Sequence, residues 1–268
     1  MRVAPDRTVE VVTAGVLAAL AWNAVTWFRG IPSSSSHALV GGLSGAAIAC
    51  AGFDAVNWGG HDGWRPTGVA GTLASLAVAP LLGAGAAYLV LRLARRALRR
   101  ATRRFERPVR ETQLLTSWLL ALGQGANDAQ KSIGVISLVL LANGTTSSLE
   151  APFSATLGAA LAMAAGTLLG GWGIVRTIGR RIYPLRALDS LASQSASASV
   201  ILASTFAGAP VSGTHVVSSS VVGIGGGRRR WGRIRWAVVT EIGIAWLTTI
   251  PATAFLGAAA VGVWRLLT

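Results

Sequence analysis

Four side chains within six positions can do chemistry together: the amide of Asn127, the carboxylate of Asp128, the ammonium of Lys131 and the hydroxyl of Ser132. They sit inside an apolar run, Leu114 to Leu141, that is long enough to cross a bilayer. A charge at that depth marks an ion path, a substrate path or a paired partner. The carboxylate and the amide oxygen suit a small hard cation such as sodium, and the ammonium can balance an anion. Ser132 can serve as a further ligand or as a packing hydroxyl. The plainer alternative is an Asp128–Lys131 pair along one helix turn. Gly123, Gly125 and Gly134 flank the group and predict a discontinuous helix that breaks there to offer backbone groups.

A second kind of site occurs twice. Pro32-Ser33-Ser34-Ser35-Ser36-His37 and Pro210-Val211-Ser212-Gly213-Thr214-His215 share the pattern Pro-x-Ser-x-(Ser/Thr)-His, offset by 178 positions (Ser34 to Ser212). Hydroxyls and free backbone N–H groups at such turns can cradle an anion without placing a full positive charge in lipid. Small residues there would also simply permit tight hairpin packing. His37 and His215 close both motifs and are read as structural caps. The offset extends into the flanking apolar segments, which is the mark of an internal repeat.

The elements that must hold these groups are membrane helices. The 268 residues are 52% hydrophobic and 13% charged, with 33 glycines, a composition that excludes a disordered chain and an ordinary water-soluble domain. Spanning candidates are Val9 to Phe28, Val69 to Leu91, Leu114 to Leu141, Phe153 to Ile178 and Trp236 to Val263. Shorter stretches, Ala38 to Val56, Ser190 to Ala207 and Val216 to Ile224, read as re-entrant. The net charge of +14 would suit nucleic acid in a soluble protein. Here the charge gathers in loops: Arg92, Arg95, Arg96, Arg99, Arg100, Arg103, Arg104, Arg107 and Arg110 in one, Arg228, Arg229, Arg230, Arg233 and Arg235 in another. That is the positive-inside pattern, with no nucleic-acid partner implied. Spacings of three and four within Arg92 to Arg107 suggest a helix lying on anionic headgroups.

With both loops inside, the second Pro-Ser-His hairpin enters and leaves on one face and the first opens on the other. Arg2 and Arg7 then fall outside. The predicted fold is all-α and polytopic, about five spanning helices with inverted repeats and two re-entrant helical hairpins. Residues 1–91 form a first, incomplete repeat, 92–110 an arginine-rich cytoplasmic loop and 111–268 a second repeat. Cys50, the one cysteine, reads as packing, and no cleavable signal is evident before the first helix. His61, beside Asp62, is read as solvated, and Glu241 as pairing with an arginine or facing a substrate path.

Gly-Gln-Gly-Ala-Asn-Asp-Ala-Gln-Lys-Ser-Ile-Gly (Gly123 to Gly134) together with Pro-Val-Ser-Gly-Thr-His-Val-Val-Ser-Ser (Pro210 to Ser219) resembles the inorganic phosphate transporters of the Pit type. That family carries a Gly-x-Asn-Asp motif and a Pro-x-Ser-(Ser/Thr)-(Ser/Thr)-His motif in each of two inverted repeats. The resemblance implies symport of inorganic phosphate with sodium or protons and needs no catalysis and no cofactor beyond that coupling ion. Carried onto this chain, it implies Asn127 and Asp128 for the ion. Ser34, Ser35, Ser36, Ser212, Gly213, Thr214, Lys131 and Ser132 would serve phosphate. Gln124, Gln130, Gln194 and Ser195 are weaker candidates. Alternating access would move the hairpins against the remaining helices.

Two departures stand out. Gly213 replaces a hydroxyl residue, leaving only backbone at that contact. By the repeat offset, the first Asn-Asp motif would lie about 50 residues before Met1, so the chain reads as an N-terminally incomplete member. The alternatives are a truncated, non-transporting paralogue and, from Gly42-Leu43-Ser44-Gly45, a rhomboid-like intramembrane serine protease. The expected setting is multi-pass in a bacterial inner membrane, with lipid as a partner and a homodimer as one assembly it allows.

Overall fold

The computed structural model describes residues 3–63, 65–100, 106–209 and 211–267. Arg2, Arg103, Arg104 and Pro210 therefore lie outside the described residues. The chain folds as α1 (Pro5–Phe28), α2 (Ser35–Ala51), a short antiparallel strand pair β1 (Gly60–Asp62) and β2 (Arg65–Thr67), then α3 (Gly68–Ala97) and α4 (Glu106–Ala142). There follow α5 (Phe153–Leu169), α6 (Trp172–Arg176) running into a π-helical turn Thr177–Arg181, α7 (Ala187–Phe206), α8 (Gly213–Gly227) and α9 (Trp236–Leu267). The small strand pair departs from the loop expected around His61, which is exposed in the middle of β1 and pairs with Pro66.

Side-chain exposure is inverted relative to a water-soluble protein. Leu168, Phe206 and Leu247 are at least 80% exposed, while Ser197, Ser220, Thr249 and Thr253 are fully buried. Apolar side chains lose nothing by facing lipid tails, so helix contacts are left to small and hydroxylated residues. Among the described residues three helices are long and apolar enough to cross a membrane: Arg7–Phe28, Gly68–Ala97 and Trp236–Leu267. A fourth crossing is available if α5 and the α6 segment, bent by 63° at Gly170 and Gly171, act as one broken span. By apolar length alone this is fewer than the about five expected. The run Leu114 to Leu141 falls short of the others in hydropathy because Gln124, Asn127, Asp128, Gln130 and Lys131 dilute it.

The predicted break at Asn127 is corrected by the structure. α4 is a continuous helix of 37 residues through Gly123, Gly125 and Gly134. Glycine permits a break without enforcing one, and no proline in the polar core removes an intrahelical hydrogen bond. The sharp bend falls instead where Gly170 ends α5 at φ 78°, a conformation only glycine adopts freely.

Contacts group the chain into two compact units that interleave in sequence. One comprises residues 1–73, 128–171 and 243–268; the other comprises 74–127 and 172–242. In the first unit α1 packs along α2 over Val11, Ala14, Ala46, Ala47 and Cys50. Gly45 of α2 lies directly against the backbone carbonyl of Ala254 in α9, and Gly41 against Thr253 and Ile250. The second unit is built alike: α7 packs along α8, and Gly223 of α8 lies against the carbonyl of Ala84 in α3. Gly223 follows Gly45 by the same 178 positions. In each unit a glycine on the hairpin's second helix thus admits the backbone of a proline-bearing helix, α9 with Pro251 or α3 with Pro80.

Gly45→Ala and Gly223→Ala should each destabilise the protein by about 1–3 kcal/mol, because the added methyl meets rigid backbone. Thermal unfolding in detergent checks this; an unchanged melting temperature for both would refute the close packing.

Candidate functional site

Asn127 lies on the buried side of α4, 4% exposed. Its Nδ2 donates to Thr205 Oγ1 of α7 at 3.3 Å, and Thr205 in turn donates to the Ile201 carbonyl. The amide is thereby oriented, and its Oδ1 is buried without a hydrogen-bond partner among the described residues. Leaving such an acceptor unmet costs about 1–3 kcal/mol, so its persistence calls for a ligand or another explanation. Thr205 was not singled out from the sequence; a hydroxyl ending an apolar hairpin arm gives no signal without its partner.

Asp128, the next residue, is paired along its own helix turn. Lys131 Nζ donates to its Oδ1 at 2.7 Å, with both side chains about three-quarters or more buried. The pair leaves one carboxylate oxygen of Asp128 outside this bond. Ser132 is exposed on α4. Gly125 and Gly134 have open space where a side chain would go. Gly125→Ala and Gly134→Ala are therefore expected to be neutral or to stabilise α4 by about 0.5–1 kcal/mol. Loss of folding or function in either variant, by melting or uptake assays, would restore the broken-helix expectation.

At the first Pro-Ser-His turn Ser34 is 1% exposed and caps α2, its Oγ accepting from the His37 N–H at 3.2 Å. The first intrahelical bond, Ala38 N–H to Ser34 carbonyl, begins beyond the N–H groups of Ser35 and Ser36. Those two donors therefore point out of the helix start, where the helix dipole favours negative charge. Ser36 is buried and Ser35 exposed. Neighbouring bonds fix the turn: Ser33 Oγ lies 2.7 Å from Thr26 Oγ1, and Trp246 Nε1 donates to the Pro32 carbonyl at 2.9 Å.

The second turn repeats the design within the other unit. Ser212 is 2% exposed and its Oγ accepts from the His215 N–H at 3.4 Å, leaving the N–H groups of Gly213 and Thr214 ahead of the first intrahelical bond. Thr214 Oγ1 lies 2.9 Å from Ser212 Oγ, and His215 Nδ1 lies 3.4 Å from the Leu76 carbonyl. A side chain at Gly213 would meet the Gln124 amide at 3.0 Å, so Gln124 occupies the space that a hydroxyl residue would need. Both serines thus act first as helix caps, a role worth about 1 kcal/mol each.

Several other polar and charged residues have structural partners. Glu241 pairs with Arg181 at 3.8 Å, the arginine reading of its role. Gln194 accepts from Thr116 Oγ1 at 2.9 Å. Asp189, 1% exposed, accepts from Arg228 at 2.7 Å and from the Arg186 N–H at 3.1 Å. That buried pair was missed in the sequence, although an acid three residues into a helix is a capping signal. Ser44 sits seven residues from His37 on the same helix, about 10 Å along its axis, which is beyond hydrogen-bond reach for a protease pair. Among the described residues no three His, Cys, Asp or Glu side chains cluster as a metal site.

The chain resembles proteins of one kind along nearly its whole length. A family model described as "Phosphate transporter family" matches residues 1–257. A Mycobacterium tuberculosis protein named "Probable low-affinity inorganic phosphate transporter" is 41% identical over 260 residues, 96% of this chain and 60% of the relative. A Bacillus subtilis protein of the same name is 36% identical, over 93% of this chain and 73% of its own. The chain thus spans about 60% of the length of the mycobacterial relative. A solved structure, "The sodium-dependent phosphate transporter", superposes with a TM-score of 0.83 at 22% identity, covering 99% of this chain and 82% of that one, which shows a shared fold. The family match across residues 1–257 and the 41% identity over 96% of the chain place this protein in the phosphate transporter family.

Proposed function

We propose that the chain carries out secondary active uptake of inorganic phosphate, coupled to sodium or protons. The observation that carries this reading is the oriented, buried and unmet Oδ1 of Asn127 beside Asp128 on α4. A carboxylate and an amide oxygen offer the hard ligands a small cation takes, and a carboxylate alone also accepts a proton. Each helix start, after Ser34 in one unit and after Ser212 in the other, offers phosphate neutral N–H donors and hydroxyls that exchange easily for water. Lys131 and Ser132 contribute to the anion's balance on α4. With the relatives being transporters, the protease alternative at Ser44 is set aside.

The same reading takes the two like-built units as the outcome of inverted repeats and the helix pairs α1–α2 and α7–α8 as re-entrant hairpins. It places the protein in a bacterial cytoplasmic membrane as a multi-pass chain, with a homodimer as its assembly. The sequence repeats, 1–91 and 111–268, describe ancestry, whereas the compact units describe packing.

The test is uptake of radiolabelled phosphate into vesicles carrying the purified chain, with sodium and proton gradients imposed separately. Saturable uptake driven by one gradient is expected. Ser34→Ala and Ser212→Ala should raise KM for phosphate and lower stability by about 1 kcal/mol each. A folded protein that takes up no phosphate under either gradient would favour the non-transporting paralogue.

A further inference from the structure

We propose that the recess at the C-terminal end of α3 binds the phosphodiester headgroup of an anionic glycerophospholipid. The recess encloses about 560 Å³ and is lined by Tyr88, Leu89, Arg92, Leu93, Arg96 and Arg99, together with Arg95. It lies within one compact unit and outside the motifs on α2, α4 and α8.

The arginines fall into two kinds. Arg92 and Arg95 are held in place: Arg92 donates to Tyr88 Oη at 2.6 Å and stacks over its ring, while Arg95 donates to the Gly227 carbonyl at the end of α8. Arg96 and Arg99 are exposed. Among the described residues no carboxylate lies within ion-pair distance of any of the four. Four cations at spacings of three and four residues, with no carboxylate partner among the described residues, favour an anion from outside.

The apolar residues say which anion. α3 is one of the helices able to span a membrane, and its apolar run ends where these arginines begin. That puts the guanidinium groups at headgroup depth, where planar forks bind phosphate oxygens in pairs. Leu89 and Leu93 on the same face are 59% and 66% exposed. A free phosphate has no use for them, whereas a lipid's acyl chains would cover them.

The experiment is native mass spectrometry of the full chain released from mixed phosphatidylglycerol and phosphatidylcholine micelles. Selective retention of phosphatidylglycerol is expected. Arg96→Gln/Arg99→Gln should lower that retention roughly 30-fold, at the usual strength of one headgroup contact per arginine. Arg229→Gln/Arg230→Gln, in the other basic loop, should leave it unchanged. Equal loss in both pairs would reduce the effect to net charge and overturn the proposal, as would equal retention of phosphatidylcholine. Displacement by excess inorganic phosphate would overturn the lipid assignment in favour of a free-anion site. Because all four substituted arginines are exposed, melting temperatures near that of the parent protein are expected. The readout is lipid retention, so its failure is separate from failure of phosphate uptake.

Discussion

Replacing Asp128 by Asn is expected to reduce ion-driven phosphate uptake roughly 30-fold or more, since removing one member of a desolvated charge contact costs about 2–5 kcal/mol. The carboxylate sits one residue from the unmet Asn127 oxygen and donates nothing; it accepts from Lys131 at 2.7 Å. If Asp128 carries the coupling ion, the loss will persist when Lys131 is neutralised as well, in Asp128→Asn/Lys131→Met. If the carboxylate serves only its lysine, the double variant will recover uptake to the level of Lys131→Met alone, because neither charge is then left without its partner. Measuring uptake against both gradients for the single and double variants decides the matter. Recovery in the double variant would remove Asp128 from the ion site while leaving Asn127 in place.

The largest effect on folding is expected at Asp189. Its Oδ1 accepts from both Nε and Nη2 of Arg228 at 2.7 Å, its Oδ2 accepts from the Arg186 N–H, and its side chain is 1% exposed. The arginine joins the end of α8 to the start of α7, so one carboxylate closes the base of this hairpin. Asp189→Ala leaves a largely buried guanidinium without its anion, at a cost of about 3–5 kcal/mol. Replacing both residues, as in Asp189→Asn/Arg228→Met, should be milder than the single change, because no lone charge remains. Melting in detergent reads both variants. A shift for Asp189→Ala no larger than that of an ordinary surface substitution, about 0.5 kcal/mol, would show that the pair contributes little.

The sequence made some of this visible and hid the rest for physical reasons. The shared Pro-x-Ser-x-(Ser/Thr)-His pattern located two helix starts, and Ser34 and Ser212 cap them in the same way. Such caps are local, set by residues three apart, and so survive reading in one dimension. The polar group on α4 was legible as a group, yet its backbone was not: glycines at 123, 125 and 134 are compatible with a break and with a helix alike. The Thr205 contact that orients Asn127 joins residues 78 positions apart, and nothing in either segment announces the other. The same holds for Gly45 and Ala254, or Gly223 and Ala84, where a missing side chain is informative only once the opposing carbonyl is known. Asp189 and Arg228 were each visible, the first in an apolar hairpin and the second in a basic loop, without a sign that they meet.

The inverted exposure pattern bears on how this protein could be handled. Leu168, Leu169, Phe206, Leu247 and Phe255 make their contacts with whatever surrounds the protein, whereas Ser197, Ser220, Thr249 and Thr253 hold the interior seams. Repainting those five outer positions with glutamate or glutamine should change which solvent the molecule tolerates before it changes the shape the molecule keeps.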